Sequence, residues 1–308
     1  MTSDADTSAA QAAQRWRFAD TLKDYAIEEW INHYVHRPLA FGLIIRPISW
    51  LPQGLRPHPN HLTFCSGGIG VWAGVAAYMS IQGPSWWLLV ASGLLFVSVL
   101  FDCSDGMLAR LSKKSSEFGM LLDGAVDAVV GVAFWAGMCL ATMPASLGPW
   151  GWPLGGVILL SVVAHCALYD QFRNRFVQVA NPAPAQAQST ADAPDNSNNP
   201  IQVLYTWIYI KPSRWIVGAG PTDPRPDVSP EFGRATLTGP MRVASFLGLG
   251  TQLWAMYTAT MFGMWSRELP FYIALGLIVV GLNLWTVVTV ICWRRAEAAL
   301  QARAASRP

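Results

Sequence analysis

Four aspartates, Asp102, Asp105, Asp123 and Asp127, lie within the single stretch DCSDGMLARLSKKSSEFGMLLDGAVD, beside the most apolar segments of the chain. A carboxylate at the centre of a bilayer helix costs roughly 2.5–3.5 kcal/mol on insertion scales. Four together therefore need a compensating interaction. Asp102 and Asp105 are three apart, and Asp123 and Asp127 are four apart, so on helices each pair shares one face. The segment from Arg110 to Phe118 is long enough for a short reversal, which would bring two antiparallel helices and all four carboxylates together. Clustered carboxylates repel one another unless protons or cations neutralise them. Bound divalent metal meets that need, and an all-oxygen ligand set favours Mg²⁺ or Mn²⁺, with a carboxylate-bridged pair of ions fitting the number of acids. Such ions commonly keep positions open for substrate phosphates, which points to phosphoryl chemistry.

The neighbours of the acids support this reading. Gly106 and Ala109 continue the face of Asp102 and Asp105, and Gly119 lies four residues before Asp123, so a flat or bulky ligand can approach the backbone. Arg110 could hold a phosphate in bidentate fashion. Ser116 could donate a hydroxyl hydrogen, and Lys113 and Lys114 add positive potential. A single aspartate near a helix end is usually a cap, a lone glycine is usually packing, and the two lysines are most simply loop anchors. Four acids interleaved with small residues fit none of these readings.

The elements that must position these residues are apolar. The 308-residue chain is 52% hydrophobic, has 15 tryptophans and has a mean hydropathy of +0.30, a profile of an integral membrane protein. Its net charge of +2 supplies no bulk field that would point to nucleic acid. The polar N-terminus lacks the apolar run of a signal peptide. Cys65, Cys103, Cys139, Cys166 and Cys292 show no metal-ligand spacing and read as small buried fillers.

Six runs approach the length a bilayer needs: Leu62–Ile81, Trp86–Phe101, Met120–Thr142, Leu154–Tyr169, Val243–Met264 and Phe271–Trp293. The second is long enough only if its helix continues through Asp102 and Asp105. Lys and Arg concentrate in the loops after the second and fourth runs and in the C-terminal tail. The positive-inside rule then places both termini and the aspartates on the cytoplasmic side. The expected architecture is an all-α integral membrane fold of six transmembrane helices with an N-terminal interfacial amphipathic helix. Its divisions are a polar tail (1–24), an interfacial juxtamembrane region (25–58), a catalytic membrane core with spans one to four (59–178), a partly disordered cytoplasmic insertion (179–240), spans five and six (241–293) and a basic cytoplasmic tail (294–308).

The acidic stretch fits Asp-x2-Asp-Gly-x2-Ala-Arg-x8-Gly-x3-Asp-x3-Asp at every fixed position, and this pattern resembles the signature of the CDP-alcohol phosphatidyltransferase family. Pro59, Asn60 and Thr63 in HPNHLTF are similar to that family's Pro-Asn-x-x-Thr motif. The resemblance covers residues 30–175 well and is loose over the last two spans. It implies transfer of a phospho-alcohol group from a CDP-alcohol to an acceptor hydroxyl with release of CMP. By position it implies Asp102, Asp105 and Asp123 as core ligands of two metal ions. Asp127 would approach a metal and act as general base. Gly106, Ala109 and Gly119 would line the cytidine site with Asn60 and Thr63 beside them, and Arg110 and Ser116 would contact the diphosphate. The family also suggests a homodimer.

The substrates are less legible. Arg173 and Arg175 in YDQFRNRF could form a cationic pocket for a phosphorylated acceptor such as a polyol phosphate, set against ordinary anchoring to anionic lipid headgroups. CDP-diacylglycerol is the favoured donor. The alternative within the family is a CDP-choline or CDP-ethanolamine phosphotransferase with a lipid acceptor. A divalent-cation transporter also carries membrane aspartates, but here the acids lie at one edge of the membrane. A catalytically silent binding module is disfavoured because no motif position is lost. The compact architecture suggests a bacterial inner-membrane protein.

Overall fold

The computed structural model describes residues 16–180 and 226–306, whose regular secondary structure is all helical, with no strand among them. The low-complexity stretch 181–200 and the apolar run after it, expected as a disordered and interface-lying insertion, lie outside the described residues. We number the main helices α1 (residues 32–50), α2 (Pro59–Met79), α3 (Trp86–Leu111), α4 (Glu117–Thr142), α5 (Gly151–Ala180), α6 (Pro230–Ala244), α7 (Leu249–Met261) and α8 (Leu269–Ala305).

Helix α1 alternates between wide π turns, Asn32–His36 and Phe41–Ile45, and α segments that contain Pro38 and Pro47. A proline inside a helix lacks the N–H and presses on the carbonyl four residues back, and a wider turn relieves both problems. One face of α1 buries His36, Arg37, Ala40, Ile45 and Ile48, while Leu43 and Trp50 are 64% and 74% exposed.

Five helices among the described residues are long and apolar enough to cross a membrane: those within Gln53–Met79, Trp86–Leu111, Phe118–Thr142, Ala145–Ala180 and Leu269–Ala305. Helix α3 does continue through Asp102 and Asp105, as the length argument required. The segment expected as the fifth span, Val243–Met264, is instead divided. Helix α6 gives way to a 3-10 turn at Ser245–Leu247, and α7 restarts after Gly248, which is extended at φ −69°, ψ 162°. A Cβ at Gly248 would run into the carboxyl group of Glu29, so chain and side chain share this corner. Thirteen residues of α7 rise only about 20 Å, short of a bilayer core of about 30 Å.

Helix α2 packs along both α3 and α4. Small residues allow this closeness: a Cβ on Gly74 would meet the Ala133 carbonyl, and one on Gly137 would meet the Gly74 carbonyl. Leu95, Met107, Phe134, Met138 and Ile158 fill the core between these helices. A second core lies where α5, α6 and the end of α8 meet, with the Phe172 and Trp293 rings 4.6 Å apart. There Arg175 pairs with Glu297 at 3.0 and 3.3 Å, and both are buried.

The residues before α1 form a strap across the aspartate end of the bundle. The Thr21 carbonyl accepts hydrogen bonds from Arg37 Nη1 and Arg110 Nε, each 3.0 Å long. Tyr169 donates to the Ile27 carbonyl, and Arg242 Nη1 donates to the carbonyls of Tyr25 and Glu28. Asp24 pairs with Arg234 at 2.7 Å, and Glu28 pairs with Arg37 at 2.8 Å.

Candidate active site

The acids are brought together by a helix stop and a helix start. Lys113 adopts φ 53° and ends α3, while Lys114 N–H bonds the Ala109 carbonyl (2.9 Å) and Lys113 N–H bonds the Arg110 carbonyl (3.2 Å). This left-handed stop satisfies the last free carbonyls of α3. Ser116 then caps α4, its Oγ accepting from Gly119 N–H at 3.0 Å. The reversal takes few residues, so the faces that carry Asp102 and Asp123/Asp127 meet.

Asp102, Asp123 and Asp127 each offer a carboxylate oxygen, and these oxygens lie within 4.8 Å of one another. Asp123 Oδ1 is buried with no hydrogen-bond partner. Three convergent carboxylates with an orphaned oxygen suit a hard divalent cation, whose oxygen preference matches this donor set. The fourth acid is held differently. Asp105 is 6% exposed and accepts a 2.5 Å hydrogen bond from Thr63 Oγ1, which comes from the first turn of α2.

The other residues singled out from the sequence fall around this group. The Arg110 guanidinium lies over Gly106, with Nη1 3.5 Å from where a Cβ would sit, and its Nη2 is buried without a partner. Ala109 shares that side of α3. A Cβ on Gly119 would lie 3.1 Å from Ser116 Oγ and 3.4 Å from Asn60 Oδ1, so the starts of α2 and α4 adjoin at this point. Because Ser116 Oγ acts as an acceptor in its cap, its own hydrogen is left to donate.

Arg173 and Arg175 do not face one pocket. Two residues apart on a helix turns side chains roughly 200° from each other. Arg175 reaches Glu297 and Gln178 within the second core, whereas Arg173 pairs with Asp170 at 3.2 Å and remains a third exposed. The cationic pocket read from their adjacency is thereby reduced to Arg173.

Sequence reasoning missed the strap. Lys23 lies on this strap with its side chain exposed. Glu29 places its carboxyl against Gly248 and Gly250 and accepts from Thr251 N–H at 3.2 Å. Burial pushes its pKa up to about 7, against the opposing Thr251 hydrogen bond. A glutamate in a polar lead segment carries no spacing signal, so only the fold brings it here.

The fold and site define a helical membrane-type bundle with an acidic, metal-suited centre at the joined ends of two antiparallel helices. Residues 56–194 match the model of the CDP-alcohol phosphatidyltransferase family. A curated relative, phosphatidylinositol phosphate synthase of Corynebacterium glutamicum, is 34% identical over 87 residues, covering 28% of this chain and 37% of the relative. The chain therefore aligns with little more than a third of that relative's length. No solved structure matches the chain significantly.

Proposed function

We propose that this chain is an integral membrane CDP-alcohol phosphotransferase of phospholipid synthesis. It transfers a phosphatidyl group from CDP-diacylglycerol to an acceptor hydroxyl and releases CMP. The observation that carries this reading is the convergence of Asp102, Asp123 and Asp127 within the region that matches that family's model. The relative named as a phosphatidylinositol phosphate synthase favours a lipid donor and a phosphorylated polyol acceptor.

In this reading Asp102, Asp105, Asp123 and Asp127 hold two divalent ions, Mg²⁺ or Mn²⁺. The ions would neutralise the diphosphate and stabilise charge on the leaving CMP. Thr63 fixes the Asp105 carboxylate. Asp127 accepts the proton of the acceptor hydroxyl as it attacks the phosphorus bonded to the lipid alcohol. That bond forms as the bond from the same phosphorus to CMP breaks. Gly106, Ala109 and Gly119, with Asn60, leave room for the cytidine. Arg110 and the Ser116 hydroxyl contact the diphosphate, and Arg173 faces the acceptor side.

The proposed topology keeps six crossings, with α7 as a short buried element extended by the 3-10 turn Phe262–Met264. The aspartate end and both termini face the cytoplasm of a bacterial inner membrane. The exposed Leu43 and Trp50 of α1 rest in the interface. The working unit is a homodimer.

Purified protein in nanodiscs, supplied with Mg²⁺ and a panel of CDP-alcohols and acceptors, tests the reading through CMP release and mass spectrometry of the lipid product. CMP and a new phospholipid from CDP-diacylglycerol are expected. A product made only from CDP-choline or CDP-ethanolamine with diacylglycerol would move the lipid to the acceptor. Metal flux into proteoliposomes without CMP would make the protein a transporter.

A further inference from the structure

The N-terminal strap lies before residue 56, outside the region that matches the family model, yet one of its carbonyls holds Arg110, a fixed position of the acidic stretch. Thr21 is fully buried and ends the 3-10 turn Phe18–Thr21, where its Oγ1 donates to the Phe18 carbonyl at 2.6 Å. The Phe18 ring packs edge-on against Phe41 of α1, with centroids 5.5 Å apart. These contacts fix the direction of the Thr21 carbonyl. Its two lone pairs take Arg37 Nη1 and Arg110 Nε, each at 3.0 Å. Arg37 pairs in turn with Glu28, further along the strap, so strap, α1 and α3 are tied together at one oxygen atom.

That bond leaves Arg110 unevenly satisfied. Its Nε has a partner, Nη1 lies over Gly106, and Nη2 is buried without an acceptor. A buried N–H with no acceptor is costly, and a long basic side chain ordinarily avoids the cost by reaching out to water. Here the hold on Nε keeps the guanidinium in place. The holder is a neutral carbonyl, which leaves the positive charge available. A carboxylate in its place would neutralise that charge and compete with an anionic ligand. The guanidinium is therefore ordered, charged and short of an acceptor before any substrate arrives. Ordering in advance spares a ligand the rotamer entropy that a free arginine would lose on binding.

We propose that Thr21 is a positioning residue of the site: its carbonyl sets the Arg110 guanidinium to receive the substrate diphosphate. The proposal rests on the transferase reading given above, which places Arg110 at the diphosphate, and it makes a segment outside the family-matched region necessary for substrate binding. A strap that Arg110 merely clamps to the bundle would use the same hydrogen bond, and a double-mutant cycle separates the two roles.

The experiment uses the full chain in nanodiscs with Mg²⁺ and reads the KM for CDP-diacylglycerol from CMP release. Thr21→Gly removes the side chain that fixes the turn, and it should raise this KM about tenfold with kcat within about threefold of wild type. Thr21→Ser keeps the hydroxyl and should restore the wild-type KM. In an Arg110→Met background, Thr21→Gly should change KM by less than about twofold. An unchanged KM in Thr21→Gly overturns the proposal. Equal rises in both backgrounds also overturn it and make the strap a structural clamp. Where Thr21→Gly lowers the melting temperature of the whole chain, a backbone ester between Thr21 and Leu22 takes its place, because an ester carbonyl is a weaker acceptor than an amide. The same rise in KM is expected from it, and none from an ester between Asp20 and Thr21, which leaves the Thr21 carbonyl an amide. If wild-type protein releases no CMP from any CDP-alcohol, the transferase reading fails. Affinity for inorganic pyrophosphate then carries the same cycle: Thr21→Gly should weaken it about tenfold with Arg110 present and not in Arg110→Met. Wild-type protein that binds no pyrophosphate overturns the role of Thr21 as well.

Discussion

Thr63, in the first turn of α2, donates its hydroxyl hydrogen to Asp105 on α3, across 42 residues of sequence and inside the protein. The bond gives a carboxylate in an apolar chain a fixed orientation beside the other three acids. Thr63 thus acts through Asp105 as a positioning residue.

Removing that donor should be costly. Hydrogen bonds to charged groups are typically worth about 1.5–3 kcal/mol, so Thr63→Val should lower kcat/KM by roughly ten- to a hundredfold and raise the Mg²⁺ concentration needed for half-maximal CMP release. Thr63→Ser keeps the hydroxyl and should recover most of the activity. A valine variant with wild-type metal titration would show that Asp105 needs no such support.

Asp127→Asn should abolish turnover, by about a hundredfold or more, and leave nucleotide binding largely intact. Radiolabelled CDP-diacylglycerol reports turnover, and CMP titration reports binding. Full activity in this variant would remove Asp127 as the base.

The Arg175–Glu297 pair is a matter of stability. Both partners are buried, and breaking such a pair from one side typically costs about 3–5 kcal/mol because the remaining charge is stranded. Glu297→Gln and Arg175→Met should each lower the melting temperature sharply in detergent, and a double Arg175→Met/Glu297→Met variant should lower it less. The KM for the acceptor should not change in whichever variants fold. A raised acceptor KM with unchanged melting would return Arg175 to the acceptor site.

Glu29 sets a pH dependence. Its pKa of about 7 in the folded protein exceeds the ordinary 4.5, so folding favours the protonated form. Its contribution to stability is present in full below about pH 4.5 and is lost as pH rises through about 7, an effect of at most about 3 kcal/mol. Thermal melts from pH 5 to pH 8 should fall with rising pH, and Glu29→Gln should flatten that fall. Identical slopes for variant and wild type would argue against a buried, protonated Glu29.

Much of the site was legible because its spacing is local. The periods of three and four residues placed each aspartate pair on one helical face, and the short Arg110–Phe118 segment implied the reversal that joins them. Long apolar runs likewise located α2, α3, α4, α5 and α8. The break within the fifth run was not legible, for a tertiary reason: hydropathy does not register that Glu29, far away in the chain, occupies the corner at Gly248. Arg173 and Arg175 looked like partners because they are adjacent in sequence, yet a helix turns them apart.

By itself, then, the amino-acid sequence determined the membrane-type helices, the acidic centre and the family signature, since all three follow from side-chain type repeated at helical or fixed intervals. Only the tertiary structure decided that Thr63 supports Asp105, that Arg175 belongs to a buried ion pair, and that the Thr21 carbonyl is held by Arg110 from 89 residues away. These pairings depend on which helix faces meet when apolar surface is buried. No periodicity within a segment encodes that choice.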